Sequence, residues 1–204
     1  MSESIPNRPP ASLPFPTGLR SGSQDQKLSQ PLVRARLPPV KSNLLSRNRE
    51  DGFKRCNRPY CKLCSFCGEA TERGKTIKNV RISSSGEYLP IKGKITCTTK
   101  NILYIITCSK GDRTCPHNPQ YGGETGQQAY QRFAEHHGTV TQQCHINTKK
   151  PVGEHFRGPG HCAGHMVFTP VEKITSSNVF VRKIRERHMI NSLDLIANGL
   201  NKKL

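Results

Sequence analysis

From Asn101 to Thr107 the chain reads NILYIIT, apolar or β-branched at consecutive positions. That is the pattern of a strand covered on both faces, not of one with a wet side. After a Cys/Pro-rich insert, Gln120-Tyr121-Gly122-Gly123 reads as a turn. Thr125-Gly126-Gln127-Gln128 then has the form of a capping box, and Gly138 a stop, which predicts a helix over roughly 126 to 137. HMVFTPVEKI, from His165 to Ile174, reads as a further strand, and Pro170 places it at a sheet edge. Asn178 to Ala197 is predicted as the last helix, with Ser177 or Asn178 as its cap. Shorter β-like pieces, KNVRISSS and EYLPIKGKITC, precede these elements. No internal repeat is present.

The first 50 residues break the pattern. Eight of the fifteen prolines fall before residue 40, among Ser and Arg. Such a stretch buries too little apolar surface to offset chain entropy, so residues 1–52 are expected to be a disordered basic tail or linker. Hydrophobic residues make up only 33% of the 204-residue chain and Trp is absent, so a core must come from the remainder. Residues 53–99 form a Cys-rich, zinc-knuckle-like segment and 100–204 the regular domain. The net charge of +18 makes a polyanion, DNA above all, the expected partner. No apolar run approaches the ~20 residues that span a bilayer. The N-terminus lacks the apolar stretch of a signal peptide, which points to an intracellular, nuclear protein.

Candidate chemistry sits on the predicted helices and around the predicted turn. On the last helix Val179, Glu186, Met189, Ile190 and Leu193 share one face by the i, i+3, i+4, i+7 rule. Glu186 therefore points with apolar side chains. A carboxylate there must be paired, with Arg182 or Arg185, or must bind a cation. On the earlier helix Arg132 and His136 are i, i+4 neighbours beside Ala129 and Phe133. Arginine suits a phosphate oxygen, because its planar fork never loses charge. Tyr104 and Tyr121 bracket the insert. Tyrosine is a weak base at its ordinary pKa of about 10, and becomes useful where cations lower the cost of deprotonation.

Nine cysteines in such a chain read as metal ligands more readily than as disulfides. Cys56-x4-Cys61-x2-Cys64 is a knuckle-like triplet that needs a fourth ligand, Cys97 or Cys67. Cys108 and Cys115, with His155 and His161, make a second tetrahedral set, so about two zinc ions are expected. His117, Cys144, His145, Cys162 and His165 receive no role, and any of them could stand in for a named ligand.

CNRPYCKLC, ITCTTKNILYIITC, YGGET, RFAEH, PVGEHF with its following His, RKIRERHMI and the closing GLN together resemble the GIY-YIG endonuclease domain of Penelope-like retroelement proteins. The resemblance covers about residues 53–204 and reads LYI and YGG at the two signature motifs. It implies an active site of Tyr104, Tyr121, Arg132 and Glu186, with His136 and Asn201 as accessory positions. It also implies a Cys-Cys-His-His zinc motif inside the domain and a cysteine knuckle upstream.

The expectation is an α/β fold, a short antiparallel sheet flanked by helices, preceded by the knuckle and the tail. The expected activity is metal-dependent DNA nicking, with Mg²⁺ or Mn²⁺ on Glu186 and either tyrosine directing water. Two alternatives stand beside it: a catalytically inactive, zinc-containing nucleic-acid-binding module, and a zinc-scaffolded protein-interaction domain.

Overall fold

The computed structural model describes residues 51–56, 58–68, 75–113, 115, 117–141 and 150–202. The expected tail, up to residue 50, lies outside the described residues, as do Cys144 and His145. In chain order the elements are β1 (Gly52–Lys54), α1 (Lys62–Ser65), β2 (Asn79–Arg81), β3 (Tyr88–Pro90), β4 (Lys94–Thr96), β5 (Ile102–Cys108) and β6 (Gln120–Thr125). They continue with α2 (Ala129–Thr141), α3 (Pro151–Phe156), β7 (Met166–Lys173) and α4 (Val179–Ser192). The fold is mixed α/β. Its centre is a three-stranded antiparallel sheet in the order β6-β5-β7, with β1 and β4 paired in parallel and β2 and β3 as a separate antiparallel pair.

β5 is the middle strand, and its apolar run has the expected cause: both faces are covered. Ile102, Tyr104, Ile106 and Cys108 enter a core shared with Phe53, Leu63, Ile95, Cys97, Phe133 and Phe156. Leu103 and Ile105 point the other way, into a second cluster with Ile82, Val171, Ile174 and Met189. Burying each such aliphatic side chain contributes about 1.5–3 kcal/mol. The Cys-rich segment thus shares its core with the regular domain.

β7 lies at the sheet edge, as Pro170 predicts, and the register slips there: Leu103 pairs with Glu172 but Tyr104 with Pro170. Asn178 caps α4, its side chain accepting from Phe180 N at 2.8 Å. The helix ends at Ser192, short of Ala197, because Asp194 adopts a left-handed backbone with φ 52°. α2 starts at Ala129 and runs through Gly138 to Thr141. Thr125 belongs to β6, and its hydroxyl accepts from Gln127 N instead of closing a capping box.

Gln120–Gly123 is not a turn. It is the first part of β6, and its two glycines serve close approach. A Cβ on Gly123 would come 2.5 Å from the Tyr104 hydroxyl, and one on Gly122 2.7 Å from Leu195 and 3.0 Å from Met189. β6 therefore slips between Tyr104 on one face and the end of α4 on the other, with no side chain at either contact. This is why YGG stands here without a branched residue at its centre.

Candidate active site and metal centres

The outward edge of β6 is capped at alternate residues, as the period of a strand requires. Gln120 O accepts from Leu200 N at 2.8 Å. Gly122 is clamped by Asn201, whose Oδ1 accepts from Gly122 N at 2.8 Å and whose Nδ2 donates to Gly122 O at 2.9 Å. Glu124 N donates to Glu186 Oε1 at 3.1 Å. Asn201 is thus a buried backbone clamp, and Glu186 is held at the edge of the strand that carries Tyr121.

The Tyr104 hydroxyl is the hub of the site. It is fully buried, accepts from Arg132 Nε at 2.9 Å and lies 2.8 Å from His136 Nε2. Arginine can only donate, so the network directs the phenol proton at an unprotonated Nε2. Burial, aided by Arg132 and Lys150, pushes His136 down to about 3, so its ring is neutral at pH 7. Burial drives the Tyr104 phenol well above its ordinary range despite Arg132. Phe168 stacks on the Tyr104 ring at 4.6 Å, and Tyr121 lies 6.5 Å away between centroids.

Tyr121 differs from Tyr104 in access. It is half-buried and lines a cleft of about 180 Å³ with Arg132, Glu135, His136, Thr139, Lys150, Pro151 and Val152. Its phenol is raised too, by burial first, with Arg132 opposing and Glu186 and Glu124 adding to the rise.

Glu186 lacks the partner that an ion-pair role requires. Arg182 Nε bonds Glu124 Oε2 at 2.8 Å, with Nη1 on Asn101 and Ser177, while Arg185 pairs with Glu172. Among the described residues no cation lies within ion-pair distance of Glu186. Burial and then the Glu124 carboxylate raise its pKa above the usual range, against the backbone bond from Glu124 and the more distant charges of Lys183 and Arg132. A half-buried carboxylate with no cation in ion-pair contact, next to a second carboxylate, is a fit environment for a hard cation. Val179, expected on the same face, is exposed instead.

Among the described residues two clusters could hold metal ions: Cys56, Cys61 and Cys64 with Cys97, one of the two fourth ligands left open by sequence, and the expected set of Cys108, Cys115, His155 and His161. Within each, the ligand atoms lie within 4.8 Å of one another. Cys64 Sγ is 3.6 Å from the sulfurs of Cys56 and Cys97. Four sulfurs about 2.3 Å from a tetrahedral zinc stand roughly 3.8 Å apart, so the spacing fits. Cys67 drops out as the fourth ligand, since its thiol turns to Cys64 O at 3.4 Å. In the second cluster Cys115 Sγ lies 3.7 Å from Cys108 Sγ and 3.8 Å from His155 Nε2. His161 sets Nδ1 against Pro159 O at 3.1 Å, which leaves Nε2 buried without a partner. An anchored ring with an orphaned second nitrogen is the arrangement of a metal-binding histidine. Burial pushes the Cys61 and Cys108 thiols up to about 11, a penalty that a bound dication removes. Cys162 and His165 associate with each other outside either cluster.

Both metal clusters brace the cleft. Cys97 O accepts from Tyr130 N at 2.9 Å at the start of α2, and Phe66 beside the first cluster packs on Phe133 at 5.1 Å. Cys108 ends the strand that bears Tyr104, and His155 lies on α3, whose Pro151 and Val152 line the cleft. Sequence reasoning missed Glu124, Glu135 and Lys150. Glu135 was signalled by its i+3 spacing from Arg132, and Glu124 by the alternation of β6.

Among the described residues no helix is long and apolar enough to cross a membrane. Comparison with protein-family models, with curated proteins and with solved structures finds no match.

Proposed function

We propose that this protein is a metal-dependent DNA endonuclease that nicks phosphodiester bonds, built on a GIY-YIG-type domain like that of Penelope-like retroelement proteins. The observation that carries the reading is one neighbourhood of five side chains. Tyr121, Arg132 and a neutral His136 line a small cleft, Tyr104 lies behind it bonded to Arg132 and His136, and the Glu186 carboxylate, in no ion pair, stands close enough to raise both phenols. The net charge of +18 supplies the attraction for a polyanionic substrate.

Glu186 would hold Mg²⁺ or Mn²⁺ in this reading, and such an ion would supply Lewis-acid stabilisation of the departing oxygen. Arg132 is fixed by its Nε bond to Tyr104, so the rest of its guanidinium stabilises charge that builds on the phosphate. Tyr121, the tyrosine on the cleft wall, orients the attacking water; its phenolate, formed by loss of the phenol proton to solvent when Arg132 and a bound cation lower that cost, would take the water's proton. Tyr104 is enclosed, so its task is to position Arg132 and His136.

This division of labour separates the two tyrosines experimentally. Tyr121→Phe should slow relaxation of supercoiled plasmid by about a hundredfold or more, the scale of a lost proton-transfer group, with unfolding unchanged. Tyr104→Phe should slow nicking and also destabilise the fold by about 1–3 kcal/mol, because it strands the buried His136 Nε2 and the half-buried Arg132 Nε. A Tyr121→Phe protein that nicks at the parent rate would remove Tyr121 from the chemistry.

A further inference from the structure

The rim of the cleft carries two charged side chains that this mechanism leaves without a task. Glu135 accepts from Arg132 Nη1 at 2.7 Å, and Lys150 lines the same cleft from the segment leading into α3. The two ends of the Arg132 guanidinium differ. Nε is fixed on a buried hydroxyl, whereas the Nη1 pair faces solvent, with the side chains of Arg132 and Glu135 27% and 41% exposed. Burial tends to raise Glu135, but the bonds from Arg132 and Gln127 and the charge of Lys150 hold it below its ordinary value, so it is ionised at neutral pH.

A phosphodiester presents one negative charge on two oxygens and takes a guanidinium in the same fork geometry as a carboxylate. An arriving phosphate and Glu135 therefore compete for one donor edge, and their like charges oppose joint occupancy. We propose that Glu135 is a resident carboxylate which a DNA phosphate displaces from Arg132, and that Lys150 is the second cation that takes hold of that phosphate. The proposal rests on the nuclease reading for the identity of the ligand, but its consequences are read in binding, apart from cleavage.

The test uses the full-length, zinc-loaded protein without Mg²⁺ or Mn²⁺ and a fluorescently labelled DNA duplex, followed by anisotropy across a salt series. Glu135→Gln is expected to tighten binding roughly two- to fivefold at low salt, the range of a solvent-facing ion pair. Lys150→Ala is expected to weaken it by a similar factor and to reduce the slope of log K against log salt by about one, the signature of one lost phosphate contact. Lys150→Arg should restore the slope. Both side chains are exposed, so zinc content and unfolding temperature should match the parent. Unchanged affinity and slope in either variant overturn the exchange, even where the parent nicks plasmid. A parent that never nicks, but whose two variants move in opposite directions, keeps the phosphate seat and loses only the cleavage.

Discussion

Stripping metal from the zinc-loaded protein with a strong chelator is expected to unfold the Cys-rich half of the core and disable the cleft with it. Structural zinc contributes about 10–16 kcal/mol of apparent binding energy in small fingers. That is comparable with the whole stability of an ordinary domain, about 5–15 kcal/mol. The segment that holds the first cluster has little regular structure of its own, β1 and β4 being three residues each and α1 four, and rests otherwise on the few side chains, Phe53, Leu63 and Ile95, that it sends into the shared core. Its collapse would reach the site through Cys97 O, which holds Tyr130 N at the start of α2, and through Phe66 against Phe133. α2 carries Arg132 and His136. Cys97→Ser is expected to lose one of two zinc ions by elemental analysis and to lower the thermal midpoint sharply. Cys67→Ser should keep both ions, since its thiol bonds a carbonyl outside the cluster. A metal-free protein with unaltered thermal unfolding would contradict the scaffold role.

Glu186→Gln is expected to reduce nicking by roughly a thousandfold or more, the equivalent of several kcal/mol of charge stabilisation lost from the transition state. The fold should survive. The amide keeps an oxygen that can accept from Glu124 N, so the edge of β6 stays capped. The sign of the stability change is informative. Burial and Glu124 raise the Glu186 carboxyl in the folded state. Between its unfolded and folded pKa values the native state binds more protons, so its contribution to stability falls as pH rises through that window. Above its raised pKa and without added cation, the ionised Glu186 burdens the fold, and there the Gln variant should be at least as stable as the parent. A carboxylate serving as an arginine partner predicts the reverse: loss of stability on substitution. Circular-dichroism melts of both proteins without divalent cation, set beside their nicking rates, decide between the two roles.

Elements set by local pattern were legible in the sequence. The unbroken apolar run at Asn101–Thr107 could only be a doubly covered strand, and Asn178 had the chemistry of a cap that α4 uses. The candidate metal clusters were largely legible because thiolate and imidazole spacing follows from coordination geometry; only the choice of Cys97 over Cys67 as fourth member of the first waited for the structure. Features set by tertiary contact were not. Gly122 and Gly123 read as a turn because glycine's absent side chain serves a bend and a close approach alike, and only Tyr104, Met189 and Leu195 decide between them. Likewise, the sequence offered Arg182 and Arg185 as equal partners for Glu186. Their pairing with Glu124 and Glu172, which leaves Glu186 without a cation, depends on where β6 and β7 place those carboxylates. Lys150 enters the cleft through the packing of α3 on α2, which no local pattern announces.

The central claim is that the cleft cuts DNA with the help of a cation at Glu186. Its most direct measurement is conversion of supercoiled plasmid to open circles by the zinc-replete parent, with Mg²⁺ or Mn²⁺ added and withheld. Nicking that requires the added cation and vanishes in Glu186→Gln is the predicted result. Tight, salt-sensitive DNA binding with no nicking in any divalent metal would contradict it and leave a zinc-scaffolded DNA-binding module.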